Sequence, residues 1–185
     1  MIQPTAIDQR SFRKLLGRNI SLPLGVGLLS AVVFVAVISY LLSVIQWVEH
    51  TDRVINSANE SIKLSIDMET GLRGFLIAGD EHFLEPYSVA KPRIDADLAS
   101  LQALVSNNTQ QVERVARIKS LQAEWNRFAE NMINLRRSGG AYVEAMRAGH
   151  GKRLTDQIRQ EYEAFVSTEQ QLRQARSDQI GRAHV

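Results

Sequence analysis

Residues 67–87 read DMETGLRGFLIAGDEHFLEPY. Apolar residues recur through the first half of this stretch at helical spacing, yet Gly71 and Gly74 interrupt it. A glycine inside a helix costs about 1 kcal/mol against alanine, so two of them need a reason. Close approach of a neighbouring helix is the favoured reason, and an opened pocket the alternative. Glu69 and Arg73 stand four residues apart and can pair on one helix face. They would form either a structural ion pair that fixes register or a ligand-binding or switch pair. Gly79-Asp80 ends this helix, and Pro86 marks the start of the next.

The same spacing extends outward from this stretch. Ile55, Ala58, Ile62, Ile66, Leu72 and Leu76 form one stripe, and Leu84, Tyr87, Ile94, Leu98, Leu101 and Val105 a second. Val112, Val115, Ile118, Trp125, Phe128, Met132 and Leu135 form the third; Leu154, Ile158, Tyr162, Phe165 and Leu172 form the fourth. One apolar stripe per segment is the mark of amphipathic helices. Asn107-Asn108-Thr109 separates the second from the third, and Asn108 or Thr109 can cap. Ser138-Gly139-Gly140 closes the third. A short helical piece over 141–148 leads to Gly149-His150-Gly151 before the last helix. Pro92 should kink the second helix. Four long stripes joined by short loops predict an antiparallel four-helix bundle over residues 49–178.

Upstream, residues 19–48 carry no charged side chain. A bilayer core needs about 20 helical residues, so these 30 can span it. Trp47 suits the interfacial aromatic belt, and Pro23 sits near the start of the span. Arg10, Arg13, Lys14 and Arg18 precede it against Asp8 alone. Basic flanks stay inside, so residues 1–18 are expected in the cytoplasm and the bundle outside it, with the lipid bilayer as partner. A cleaved signal peptide is the rival reading, but its apolar core would be about 7–15 residues long and end at a small-residue site. The first bundle helix can continue directly out of the span. The fold class expected is therefore all-α: an N-terminal transmembrane helix, then the bundle.

Composition excludes several functions. The 185 residues contain no cysteine, hence no disulfide framework or thiol nucleophile. Beyond residue 48 the chain holds 18 basic and 19 acidic residues, interspersed, so no nucleic-acid partner is expected despite a net charge of +2. His50, His82 and His150 lack metal-ligand spacing, and no metal or cofactor is expected. Asp67, Glu69 and Asp80 have no nucleophile or phosphate loop beside them, so no catalytic site is expected. Trp125 and Phe128 read as core. Arg136 and Arg137, near a helix end, suit its macrodipole without a partner.

The stretch resembles the signature of the CHASE domain family, type three, an extracytoplasmic sensory module of bacterial receptors. Glu69, Thr70, Gly71, Arg73, Gly74, Phe75, Leu76, Gly79, Asp80, Phe83, Leu84, Pro86 and Tyr87 match it, while Leu72 stands where the family often has a polar residue. Residues 107–111, 149–158 and 169–176 resemble the family's link between second and third helices, its late Gly-rich turn and its ending. The resemblance implies a homodimeric four-helix sensor for a small molecule or a periplasmic protein, in the bacterial inner membrane. It implies a second membrane helix leading to an output module. A histidine kinase of a two-component system is expected first, then a methyl-accepting chemotaxis receptor or diguanylate cyclase. A non-sensing membrane-anchored scaffold is the rival from another class. The last six residues, Ile180 to Val185 (IGRAHV), resemble one translated frame of a sequencing adapter, and residues 179–185 are expected to be a non-native tail on a truncated fragment.

Overall fold

The computed structural model describes residues 9–182. Residues 1–8 of the expected basic N-terminus (1–18) and residues 183–185 of the expected tail lie outside the described residues, as do the side chains of Arg10, Arg13, Lys14 and Arg18. All regular structure among the described residues is helical: α1 (Gln9–Ala78), a 3₁₀ turn (Glu81–Leu84), α2 (Glu85–Leu104), α3 (Thr109–Arg137), α4 (Tyr142–Arg147) and α5 (His150–Arg182). The chain divides into two units, Met1–Val48 and Glu49–Val185.

In the first unit the side chains from Ile20 onward are almost all exposed, Leu24 at 70% and Phe34 at 67% among them. Apolar surface on every side is unfavourable in water at about 25 cal/mol per Å² and suits lipid. Ser43 turns its hydroxyl onto the Tyr40 carbonyl at 2.7 Å, which satisfies it without water. The stretch is long and apolar enough to cross a membrane.

In the second unit, cross-helix pairs fix the topology. Asp52 meets Arg173 and Glu69 meets Arg159, so α1 and α5 run antiparallel. Glu60–Arg93 and the Gly71–Tyr87 contact set α1 against α2 in the same sense. Gln102–Lys119 and Lys91–Glu130 do so for α2 and α3, and Gln111–Glu169 and Trp125–Thr155 for α3 and α5. The result is an up-down-up-down four-helix bundle. Its axis is filled by Val54, Met68, Phe75, Ile94, Leu98, Ile118, Met132 and Phe165, all at most 2% exposed. Burying one such side chain contributes roughly 1.5–3 kcal/mol.

The turns follow from their residues. Gly79 takes φ +75° and donates its N–H to the Phe75 carbonyl at 2.7 Å, closing α1 in a left-handed cap. Asp80 then accepts from the His82 N–H at 2.9 Å and starts the 3₁₀ turn. Asn108 caps α3 by accepting from the Gln111 N–H at 3.2 Å. The helix α2 continues through Pro92; the carbonyl its ring frees belongs to Ser88, on the exposed face.

Two expectations need correction. The break before the last helix is Gly149 alone, at φ +71°, and α5 already begins at His150 with Gly151 in its first turn. Gly151 is there for packing: a Cβ would lie 2.3 Å from Phe128 Cε1. Ile66 is not core but 43% exposed, because the buried line of α1 runs through Val54, Ala58, Ser61, Leu64 and Met68.

Candidate functional site

The signature residues gather where α1 turns into α2. At Gly71 a Cβ would lie 2.8 Å from the Tyr87 backbone nitrogen, and at Gly74 2.9 Å from the Phe83 ring. Both glycines thus serve close packing of α1 on the turn and the start of α2. Pro86 stands in the first turn of α2, where its missing N–H costs nothing. Tyr87 is buried, its ring centroid 6.4 Å from that of Trp125. Burial pushes its phenol pKa up, partly offset by Lys91. Thr70 faces outward.

Glu69 lies one face round from the glycines and is only 7% exposed. Its two oxygens are divided between two helices: Oε1 takes Arg73 at 2.5 Å along α1, and Oε2 takes Arg159 at 2.9 Å from α5. Both arginines are about half exposed, so each lays its stem along the bundle and keeps its head partly in water. The expected Glu69–Arg73 pair is present. Its cross-helix member, Arg159, was missed; it flanks the α5 stripe beside Ile158, and spacing alone names no partner for it.

A cavity opens on each side of this fork. The narrower, about 20 Å³, is lined by Ile62, Ser65, Gln122, Ile158 and Tyr162. The larger, about 100 Å³, is lined by Leu72, Leu76, Phe128, Met146 and Lys152, with Arg73. Glu69, Trp125 and Thr155 line both, and Trp125 Nε1 donates to Thr155 Oγ1 at 3.2 Å.

A polar layer crosses the core below the fork. Ser65 donates to Gln122 Oε1 at 2.9 Å, and Gln122 Nε2 donates to Asn126 at 2.9 Å. The Tyr162 hydroxyl is buried beside Ser61 and Ser65 with no well-formed hydrogen bond. Burial raises its pKa far above the phenol value, and the two serines offset only part of that. At the other end of the bundle, buried Gln111 donates to Glu169 at 2.8 Å and to the Phe165 carbonyl at 3.1 Å. Gln111 and Gln122 occupy stripe positions of α3. A polar residue at a core register was the available signal for both, and an apolar-only pattern passes over it.

Arg136 and Arg137 do have partners. Arg137 forks Glu81 at 2.8 and 2.7 Å, and Arg136 stacks on Tyr142 with its guanidinium 4.9 Å from the ring centroid. These arginines tie the end of α3 to the turn after α1 and to α4. His150 lies 3.4 Å from Glu124. Among the described residues no three His, Asp or Glu side chains gather as a metal site. What the arrangement offers chemically is a buried carboxylate shared by two helices, with a mixed apolar and cationic cavity against it.

The CHASE3 domain family matches residues 44–179, the greater part of the chain. Among solved structures, the sensor domain of the Rhodopseudomonas palustris histidine kinase HK9 is similar, with a TM-score of 0.59 and 21% identity. That likeness covers 65% of this chain and 96% of the other. No curated protein matches the chain.

Proposed function

The chain belongs to the CHASE3 domain family, and from that premise we propose that it is the signal-input region of a bacterial transmembrane receptor. The observation that carries this reading is the family match over a four-helix bundle in a chain whose N-terminal helix is apolar enough for a bilayer. The bundle lies outside the cytoplasm and the N-terminus inside, in the inner membrane; the basic cluster before the span supports that orientation. The receptor works as a homodimer, a reading the family resemblance supports. The output is a histidine kinase, supported by the sensor-domain neighbour; a chemotaxis receptor or a diguanylate cyclase is the second choice.

Glu69 is the point where input would act. It joins α1 to α5, and α1 is helical without a break from Gln9 to Ala78. A stimulus biases a receptor only through its differential affinity for two states, and a fork that holds or releases α5 supplies two such states. The test joins this bundle, after residue 178, to the second membrane helix and kinase of an intact sensor kinase. Glu69→Ala should lock autophosphorylation high or low. A chimera whose output is the same with Glu69 and with alanine would overturn the reading.

A further inference from the structure

We propose that the larger cavity beside Glu69 is a binding site for a short-chain monocarboxylate, which would be the stimulus class of this sensor. The proposal rests on the signal-input reading above and adds the ligand chemistry to it.

Size sets the first limit. The cavity measures about 100 Å³. A cavity of about 150 Å³ accepts benzene, and one water needs roughly 10–15 Å³. The space is therefore too large for a single water; it would enclose about four heavy atoms, and because it opens to solvent a slightly longer molecule can seat its end there. Lining sets the second limit. Leu72, Leu76, Phe128 and Met146 give an apolar wall, and Arg73 and Lys152 line the same space together with the Glu69 carboxylate. A hydrocarbon chain with one anionic end satisfies both. A hydrated inorganic anion would strand the apolar wall, and an amine would meet two cations against the single carboxylate of Glu69.

Charge balance sets the third limit. Arg73, Lys152 and Arg159 stand against Glu69 and Asp156, which pairs with Lys152 along α5. One positive charge is left over, so a single carboxylate neutralises the site. Arg73, paired with Glu69, is the group that would exchange onto it. Glu69 keeps its second oxygen on Arg159 when Arg73 turns away, so the buried carboxylate stays paired during the exchange. Arg73 on α1 and Lys152 on α5 then hold one ligand between them. Met146, on the short helix α4, covers it from the side.

The test uses the detergent-solubilised chain with butyrate as probe and butyramide, butylammonium, phosphate and chloride at matched ionic strength as controls. Butyrate should raise the melting temperature saturably, and the controls should not. Arg73→Gln should weaken the butyrate Kd by about tenfold or more, the loss expected of one charged hydrogen bond. Met146→Trp, which fills the cavity and leaves the charges untouched, should abolish binding while the far-ultraviolet dichroism stays unchanged. The proposal fails if butyrate acts no differently from chloride, or if butyramide or phosphate acts equally well. It fails also if Met146→Trp binds butyrate as the parent does. A chimera that responds to Glu69→Ala but not to butyrate would sink this ligand assignment and leave the sensor reading standing.

Discussion

Gly71 and Gly74 stand three residues apart on α1, yet alanine should act very differently at each. At Gly71 the obstacle is backbone, the Tyr87 nitrogen at 2.8 Å and the Phe83 carbonyl at 3.2 Å, and neither can turn aside. Overpacking typically costs about 1–3 kcal/mol, and the gain in helix propensity is ~1 kcal/mol. Gly71→Ala should therefore lower stability by up to about 2 kcal/mol in urea unfolding of the solubilised chain. At Gly74 the obstacle is the Phe83 ring, which is 47% exposed and can rotate into water. Gly74→Ala should stay within about 0.5 kcal/mol of the parent. Equal losses at the two sites would show that backbone approach is not what the signature glycines serve. Glu69 belongs to the same scale. Glu69→Ala should cost about 1–2 kcal/mol, since two charge-assisted bonds go while both arginines can turn to solvent. A double-mutant cycle with Arg159→Ala should give a coupling of about 1 kcal/mol; no coupling would mean that the fork does not hold α5.

Helices meet at their ends through pairs such as Glu81 and Arg137, and these carry a pH signature. The Arg137 guanidinium, hydrogen-bonded to Glu81, holds that carboxyl below the usual glutamate range. A group whose folded pKa is depressed adds stability above its unfolded pKa and loses it as pH falls through the folded value. The tie between α3 and the turn after α1 should thus loosen only on the acid side of ordinary glutamate titration. The Glu81 carboxyl, followed by NMR, should titrate below a free glutamate, and Arg137→Gln should return it to the ordinary range; an unmoved midpoint would refute the tie. At this scale the sequence was most legible. The spacing of Ile94, Leu98 and Leu101 or of Val115, Ile118 and Trp125 can suit only one face of a helix, and all six are buried. Breaks at Gly79 and Asn108 were legible because a left-handed cap and an Asx cap need those residue types. Less could be read where two helices meet. Nothing local in α5 marks Arg159 as the partner of a glutamate 90 residues earlier. Gly151 looked like loop because a packing glycine and a turn glycine are the same letter. Arg137 was credited to the helix dipole because its Glu81 partner lies across a fold the pattern alone does not orient.

Over the whole molecule, one unit has an apolar exterior and the other an apolar interior, and such surfaces call for different solvents. Residues 20–48 expose leucine, valine and phenylalanine on every side, whereas residues 49–178 put charges outside and hydrocarbon within. The join between the two patterns fixes where lipid should end, close to Trp47 and Glu49. The chain has no cysteine, so single cysteines can report the placement of each side without background. Glu163 is exposed on α5 and makes a suitable outer reporter; Ser11, within the basic N-terminal cluster, makes an inner one. In intact spheroplasts a membrane-impermeant maleimide should label Glu163→Cys at once and Ser11→Cys only after permeabilisation. The asymmetry follows from four basic residues on one flank of the span, which resist transfer across the bilayer while the bundle side is passed over. Labelling of Ser11→Cys alone in intact cells would invert the topology and place the Glu69 fork in the cytoplasm. Labelling of both would mean that the apolar helix does not span, and the bundle would lose the N-terminal anchor on which the orientation rests.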